Sequence, residues 1–529
     1  MKQSLIILAT FLCSLTFAQK TVRTVSFDFD DKTVPTQGTL RYEIANAASG
    51  DSIVIPSSLK KLTLEDEILI DKNININADG VTIQVETPSG SNFRVFNVGL
   101  DLPINMLINN AVLKGGNLTG KSNDAKDLPN CGGVILVNNY SSLTLLNSTV
   151  NGGLGNYAGG IYAAENTALY LSNCYFLSNE ATTNNAGAVY NLGTMLVDGC
   201  LFEANKAALD GAAVTSNKTQ TIIRNSVFYA NESAISSAAN NGGAYFNTGA
   251  AASTLATVDN CTFYDNVAVN NGSGAYTASG GAKAIFTNCT FYNNSNSGAT
   301  GAGAIYLRNS TATLVNCTVS GNKTVAGGLA GGIHINTTKP KLNLVNTIVT
   351  HNYKGSTTAD VVVSAGSATG TNNVVGASTG TTLENAINFS YIPESNLFAE
   401  YKTLDGNKIP VMKDNGGIMC RGEIIPTIAL VEMSGETMSI AMEAAAPAVE
   451  GYVIPNKDQR GYTRNAQYPC VGAYELNATS AVKNTKADIE VAIYPNPVKD
   501  ILRITTVENI AKIELHSVSG QLVNSYSAP

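Results

Sequence analysis

The sequence contains few histidines that could bind a metal or act in acid–base catalysis. Among the 529 residues only three are histidines, His334, His351 and His516, and no His-x-x-x-His spacing occurs. Metal binding and acid–base catalysis draw heavily on histidine, so both kinds of site are disfavoured. We therefore predict no catalytic residues, no metal site and no cofactor.

Two aspartates are the best candidates for catalysis. Asp198 and Asp259 each precede one copy of a repeated motif, and a glycosidase needs two carboxylates held about 5–9.5 Å apart. Arg224 occupies the same position in another copy, as do Thr287 and Val315 in two more. Because the acidic position is not repeated, solvated corner residues are favoured over a catalytic pair.

Tyrosines recur in the Gly-rich half of the repeat and are the candidate ligand-binding residues. They are Tyr162, Tyr190, Tyr245, Tyr276 and Tyr306. Pointing outward, they would form an aromatic ladder suited to stacking on sugar rings or partner surfaces. Packing at the shoulder of the fold is the alternative.

A repeat sets the positions of these residues. The motif Asn-(Cys/Ser/Thr)-x-(Phe/Val/Ile)-x-x-Asn recurs from Asn147 to Asn346 at spacings of 26 to 35 residues, with Gly-rich segments between copies. Short β-prone runs separated by Asn or Gly, without helical periodicity, are typical of stacked strands. The pattern predicts an all-β fold, a right-handed single-stranded parallel β-helix of roughly 15 rungs and about 70 Å.

Cysteines support the same fold. One repeat position holds cysteine in five copies and Ser or Thr in three: Cys174, Cys200, Cys261, Cys289 and Cys317, with Ser148, Ser226 and Thr347. Such exchange predicts an inward ladder of buried free thiols, with inter-rung disulfides as the alternative. Cys420 and Cys470 are a candidate disulfide outside the ladder.

The N-terminus predicts export. A single early charge, Lys2, is followed by an apolar run and by Thr16 and Ala18 at the small-residue positions of a cleavage site, so residues 1–18 are interpreted as a signal peptide. No other stretch is long and apolar enough for a transmembrane segment. A net charge of −7 offers no basic face to nucleic acid. Residues 39–48 are predicted to form a short helix that caps the first rung, with Thr39 as its N-cap.

Family resemblance becomes specific at the ends of the solenoid. Gly38 to Ala47 and Gly50 to Ile53 resemble the opening of choice-of-anchor Q β-helix proteins, and Gly472 to Glu475 resembles their closing segment. The Asn-Cys-Thr-Phe rungs are similar to those of polymorphic outer-membrane proteins. The resemblance implies a β-helix over residues 19–476 and an extracellular setting, but it transfers no activity and no catalytic residues.

The C-terminal residues resemble a different family. After a polar linker, residues 477–488, Tyr494-Pro495-Asn496-Pro497 and Gly520-Gln521-Leu522-Val523 resemble the type A sorting domain of type IX secretion. The resemblance implies a small β-sandwich-like sorting domain over 489–529, which contacts the secretion machinery. Such domains usually continue further than Pro529, so we expect this one to be truncated.

Together these features predict a secreted or cell-surface, adhesin-like protein at the outer-membrane exterior. The favoured function is non-catalytic binding to a glycan or a surface partner. A polysaccharide lyase or glycoside hydrolase on the side face, and a structural spacer, are the alternatives.

Overall fold

The computed structural model describes residues 21–85, 92–119, 130–233, 242–249, 254–337, 340–380, 397–432 and 439–476, together with the backbone of five short strands beyond them. It divides the chain into two compact units, Met1–Thr479 and Ser480–Pro529. The predicted signal peptide and linker lie outside the described residues.

The first unit is a parallel β-solenoid with four sheets along its sides. A single turn runs through Thr194–Asp198 in sheet 1, Leu201–Glu203 in sheet 2, Lys206–Ala207 in sheet 3 and Val214–Asn217 in sheet 4. Each strand pairs in parallel with the equivalent strand of the next turn. The predicted all-β parallel solenoid is confirmed.

Strand bounds repeat from turn to turn. Sheet 1 contains Val22–Thr24, Asp51–Val54, Ile74–Asn77, Asn105–Asn109, Ser142–Leu146, Ala168–Ser172, Thr194–Asp198, Gln220–Arg224, Leu255–Asp259, Lys283–Thr287, Thr311–Val315, Lys341–Val345 and Ser367–Thr371. Sheet 2 contains Lys61–Leu64, Thr82–Val85, Val112–Lys114, Thr149–Asn151, Tyr175–Leu177, Leu201–Glu203, Val227–Tyr229, Thr262–Tyr264, Thr290–Tyr292, Thr318–Ser320, Ile348–Thr350, Val374–Val375 and Ile387–Asn388.

The remaining two sheets are shorter. Sheet 3 contains Leu154–Gly155, Glu180–Ala181, Lys206–Ala207, Glu232–Ser233, Val267–Ala268, Ser295–Asn296, Lys323–Thr324, Tyr353–Lys354 and Thr357–Thr358. Sheet 4 contains Ile68–Ile70, Phe96–Val98, Ile135–Val137, Ile161–Ala163, Val189–Asn191, Val214–Asn217, Tyr245–Thr248, Tyr276–Ser279, Ile305–Arg308, Ile333–Asn336, Val361–Val363 and Ser378–Thr379. Gly272–Ser273 pairs with Gly301–Ala302 outside these four sheets.

The corner between sheets 1 and 2 explains the leading Asn of the repeat. Asn173 and Asn225 adopt φ of 52° and 51°, and Gly199 adopts 64° in the turn between them. Asn and Gly are the residues that enter this left-handed region at low cost. The corner then turns the next side chain inward, which is why Cys174 and Cys200 are fully buried.

Identical side chains stack inside the solenoid. Phe176, Phe202, Phe228, Phe263 and Phe291 occupy one position of sheet 2, with ring centroids 4.4–5.0 Å apart. This distance follows from the spacing of hydrogen-bonded strands, about 4.8 Å. The stack lies at the centre of a hydrophobic core that runs from Val25 to Val375.

A buried asparagine ladder runs beside the corner between sheets 2 and 3. Its members are Asn179, Asn205, Asn231, Asn266, Asn294, Asn322 and Asn352. Asn179 Oδ1 accepts one bond, from the backbone N of Gly153, and each later Oδ1 accepts two from the preceding Asn. For example, Asn266 Oδ1 accepts from the backbone N of Asn231 at 3.0 Å and from its Nδ2 at 2.9 Å. The ladder ends on a carboxylate, because Asp360 Oδ1 accepts both bonds from Asn352, at 2.9 and 2.8 Å.

The N-terminal helix is confirmed. It spans Leu40–Ala45, and the Thr39 side chain accepts from the backbone N of Tyr42. A 3₁₀ turn follows at Ser57–Leu59. Glu43 in the helix forms an ion pair with Arg23 at 3.1 Å, which links the helix to the first strand of sheet 1.

Residues 397–476 do not add rungs, which corrects the prediction of about 15. The longest sheets hold 13 strands among the described residues. Residues 397–476, hereafter the strap, contain the hairpins Tyr401–Leu404 with Asn407–Pro410, Met412–Lys413 with Thr427–Ile428, and Met419–Cys420 with Glu423–Ile424.

The strap runs down the outside of sheet 2 and back. On the outward pass it contacts Tyr353 through the carbonyl of Lys408 and, further down, Asn173 through Arg421. On the return it reaches Asn346, whose side chain bonds to Ala446. Between these points it bonds to Thr262, Thr290 and Thr318 of sheet 2, so it covers the outer face of that sheet over these rungs.

The eight described cysteines are free and buried. The five ladder cysteines point inward, and none is disulfide-bonded to its neighbour. The candidate disulfide between Cys420 and Cys470 is wrong: the two thiols belong to different hydrophobic clusters of the strap.

The second unit is described only as backbone strands. Ala492–Tyr494 pairs antiparallel with Arg503–Thr505, and Lys512–His516 pairs antiparallel with Leu522–Ser527.

Candidate ligand-binding pocket

The five predicted tyrosines divide into two groups. Tyr245 and Tyr276 pair in register with Val214 and Ile305, which are inward positions of sheet 4, and both are fully buried. Tyr162, Tyr190 and Tyr306 point to the other face of sheet 4 and are 6–8 % exposed. The five tyrosines therefore do not form a single outward ladder. Side chains alternate between the two faces of a strand, so a shift of one residue in register moves a side chain from the outer face to the inner face.

Four of the five hydroxyls are already hydrogen-bonded. Tyr190 and Tyr306 accept from Asn217 and Asn336 at 3.1 and 3.2 Å. Tyr245 donates to Ser216 at 3.3 Å, and Tyr276 accepts from Asn247 at 3.5 Å.

Tyr162 differs from the other four. Its ring stacks on Tyr190 at 5.2 Å and 1°, yet its hydroxyl has no hydrogen-bond partner within the described part of the chain. The hydroxyl is not among the buried polar atoms, so it is open to solvent and available to a ligand. Tyr162 is therefore the tyrosine of the five whose hydroxyl makes no hydrogen bond to the described residues.

Tyr162 lines a pocket at the corner between sheets 4 and 1. Four consecutive turns between these sheets contribute to its walls, the last through Leu192. The cavity volume is about 440 Å³, and its lining residues are Gly99, Leu100, Asp101, Leu102, Pro103, Asn138, Asn139, Tyr140, Tyr162, Ala164, Glu165 and Leu192. This volume is within the range of sites for small ligands, about 300–1,000 Å³.

Tyr140 at the rim of the pocket has an unusual backbone. Its φ is 65°, and 66 % of the residue is exposed. The equivalent turn of the next rung has Asn166 at φ 60°, the residue type that suits this conformation. An aromatic residue in the left-handed region is strained, and such strain clusters at functional sites. Leu102 is exposed to a similar degree, 64 %.

The pocket combines aromatic and polar groups. The exposed carboxylates of Asp101 and Glu165 lie at its edge, with the amide of Asn139. Burial raises the pKa of Tyr162, with nearby titratable groups including Glu165 adding to the effect. The Tyr162 phenol therefore stays neutral and can both donate and accept hydrogen bonds.

The candidate catalytic aspartates lie on the outward face of sheet 1. Asp198, Arg224 and Asp259 are consecutive in register, and Arg224 pairs with Asp198 at 2.9 Å. Burial raises the pKa of Asp259 to about 6, opposed by Arg224. Arg224 therefore separates the two carboxylates and neutralises one of them.

Two histidines are buried in the solenoid and pack against neighbouring side chains. His334 stacks on Tyr306 at 5.3 Å, and its Nε2 lies 2.9 Å from the Ser364 hydroxyl. Burial lowers the pKa of His334 to about 4, so it is neutral at physiological pH. His351 contacts Phe398 and Tyr401, and His516 lies outside the residues whose side chains are described. Within the described residues, no group of three His, Cys, Asp or Glu side chains could hold a metal ion.

The sequence pattern missed most of the pocket. Asp101, Leu102 and Tyr140 belong to turns outside the repeated motif, so no periodicity marks them. A bulky aromatic in the turn position that holds Asn in the next rung is the signal that could have identified Tyr140.

Comparison with known proteins supports both units. Residues 239–391 match the family model of the right-handed β-helix region, and residues 492–529 match that of the secretion system C-terminal sorting domain. No curated protein matches the chain. The crystal structure of pectate lyase Pel9A is similar with a TM-score of 0.37 at 12 % identity, covering 88 % of this chain and 98 % of that one.

The described residues contain no helix long and apolar enough to cross a membrane. A β-helix region and a sorting domain are present in one chain. This protein is thus an exported right-handed β-helix protein with a type IX sorting domain, which directs it through the secretion machinery to the cell surface or the medium.

Proposed function

We propose that this exported β-helix binds a glycan, without cleaving it, in the pocket formed by Tyr140 and Tyr162. The observation that carries the proposal is Tyr162, a residue that is 8 % exposed and lines the pocket, and whose solvent-accessible hydroxyl makes no hydrogen bond to the described residues. A ligand hydroxyl would supply the missing hydrogen bond.

The pocket walls suit a sugar ring. Sugar rings have apolar faces that stack on aromatic side chains and a rim of hydroxyls that bond to amides and carboxylates. Tyr140 provides an exposed aromatic face, and Asn139 and Asp101 provide polar groups. Surface display would place this pocket where it meets polysaccharides or the glycans of another surface, as an adhesin-like role requires.

Cleavage is the second candidate function, and one observation favours it. Asp198, which pairs with Arg224, and Asp259, with a pKa raised to about 6, lie on one face of sheet 1. Glycosidases use two carboxyl groups, one of which has a raised pKa. Arg224 lies between them in register and pairs with Asp198, so a sugar held between the two carboxyl groups would have to displace it, and binding is preferred.

A glycan array probed with the full chain tests the proposal, with a parallel assay of polysaccharide chain length. The key variant is Tyr140→Asn, which removes the aromatic face while placing a suitable residue in the left-handed turn. We expect binding to weaken about tenfold, consistent with the loss of one aromatic contact, while stability is retained.

Tyr468→Asn is the matched control, because Tyr468 is also exposed, at 55 %, but lies in the strap. Equal loss in both variants would contradict the pocket assignment. If the polysaccharide is shortened and the shortening depends on Asp259, the proposed function would be cleavage rather than binding. Neither binding on the array nor shortening of any polysaccharide would favour a structural spacer.

A further inference from the structure

We infer that the pocket selects sugars bearing a free amine over polyuronates. This inference rests on the proposed glycan binding and concerns the charge of the ligand. It is carried by the placement of Asp101 and Glu165 on the walls of the pocket that contains the unpaired Tyr162 hydroxyl.

The charges in the pocket are of one sign. Asp101 and Glu165 come from turns of two different rungs, and no Lys, Arg or His is among the lining residues in the described part of the chain. Arg94 acts electrostatically on the neighbouring Cys131, but its side chain is 2 % exposed and pairs with Glu67 at 3.3 Å. Among the described residues, a ligand in the pocket therefore meets two carboxylates and no lining cation.

The aromatic ring of Tyr140 also favours a positively charged ligand. The face of a tyrosine ring carries negative electrostatic potential and attracts ammonium groups within about 6 Å. Tyr140 is exposed at the rim, so a protonated amine on a bound sugar would be attracted by the ring and by both carboxylates. The carboxylates of a polyuronate would be repelled by the same groups and by the net charge of −7.

Both carboxylates are exposed, so solvent screens their effect and the selectivity is moderate. A surface charge pair contributes little by itself. We expect glucosamine oligomers to bind about three- to tenfold more tightly than N-acetylglucosamine oligomers of the same length at low salt. The difference should shrink as the salt concentration rises, because the Debye length falls.

The test is calorimetric titration of the full chain with these two oligomers and with oligogalacturonate, in mildly acidic buffer. The double variant Asp101→Asn, Glu165→Gln should bind glucosamine oligomers and N-acetylglucosamine oligomers equally. Both affinities should equal the one that wild type shows for the N-acetylglucosamine oligomers. The variant keeps side-chain size and alters exposed positions, so folding is preserved.

The outcomes separate the two proposals. Equal binding of the amine and its N-acetyl form, or tighter binding of oligogalacturonate, would overturn the charge selectivity while leaving glycan binding in place. Absence of binding by all three oligomers and by every glycan on the array would overturn the proposed function, and this inference with it.

Discussion

The solenoid and the strap are stabilised by different kinds of contact. In the solenoid a buried side chain has a counterpart of the same type one rung away, as with Phe202 and Phe228 or Asn205 and Asn231. In the described part of the strap the buried polar groups include two ion pairs, Arg460 with Asp458 and Arg464 with Glu475, and they follow no repeat. Arg464 pairs with Glu475 at 3.2 Å, and both side chains are 2 % exposed.

This difference concerns how stability is distributed. A repeat sums many similar interface terms, so no single rung position is indispensable. The strap depends on a few non-repeated contacts: Arg464 also donates to the carbonyls of Cys470 and Gly472 and to Asn288 of the solenoid. Substitutions should therefore have larger effects in the strap than at comparable ladder positions.

The largest effect is expected for Arg464→Met. Removing the guanidinium leaves the Glu475 carboxylate buried without its ion-pair partner, and breaking a buried pair in this way costs about 3–5 kcal/mol. We expect the strap to become sensitive to limited proteolysis, and the free energy of unfolding in urea to fall.

Arg421→Met is the control for this variant. Arg421 is partly exposed and makes a hydrogen bond to the carbonyl of Asn173 at 2.7 Å. Its loss should change stability by about 1 kcal/mol or less. Similar proteolysis of both variants would contradict the special role of the buried pair.

A smaller effect, and one that depends on pH, is expected at the end of the asparagine ladder. Burial raises the pKa of Asp360 to about 7, although bonds from Asn352 and Ala377 oppose the shift. Because the folded-state pKa lies above the ordinary value of 3.8, the stability linked to this proton is complete below pH 3.8. It is lost as the pH rises through about 7.

Asp360→Asn isolates this contribution, since the amide keeps an acceptor for Asn352 but does not titrate. Between pH 5 and pH 8 wild type should lose about 2–3 kcal/mol relative to the variant. His334, whose pKa is lowered to about 4, gives both proteins the opposite dependence of stability on pH. The quantity to measure is therefore the difference between their free energies of unfolding, in which the contribution of His334 cancels. Parallel stability curves would exclude a titrating Asp360.

The smallest effect is expected for Cys261→Ser in the ladder. Cys261 bonds to the carbonyl of Asp259 at 3.2 Å, and Ser226 makes the equivalent bond to the carbonyl of Arg224 at 2.7 Å. A serine should therefore find its acceptor, and we expect a loss below about 1 kcal/mol. A loss above about 2 kcal/mol in thermal unfolding would show that ladder positions are not interchangeable.

Features that recur along the chain were predictable from sequence. The repeated motif places the same residue type at the same position of each rung, and this predicts the corner Asn, the inward cysteines and the stacked Phe residues. The tyrosines show the limit of this reasoning. The motif aligned Tyr245 with Tyr162, yet the strand register aligns Tyr245 with Ile161 through Val189 and Val214, because the position of Gly in a loop does not fix strand register.

The strap and the pocket could not be predicted in the same way. The strap has no internal period, and its contacts with the solenoid join residues up to 248 positions apart. The ion pair that Asp458 and Arg460 form at 2.7 Å likewise follows from the fold of the strap. The pocket depends on the turns of consecutive rungs, and the turn that contains Asp101 is longer than the turn that contains Tyr140.

The strap also fixes the number of rungs. Repeat proteins usually tolerate gain or loss of whole repeats, because each repeat contacts only its neighbours. Here a chain segment of set length is attached at Asn173 and again at Asn346, so an added rung would displace one attachment by about 4.8 Å from its partner. The strap thus constrains the number of rungs between Asn173 and Asn346. We expect this part of the solenoid to tolerate substitutions more readily than the insertion or deletion of a rung.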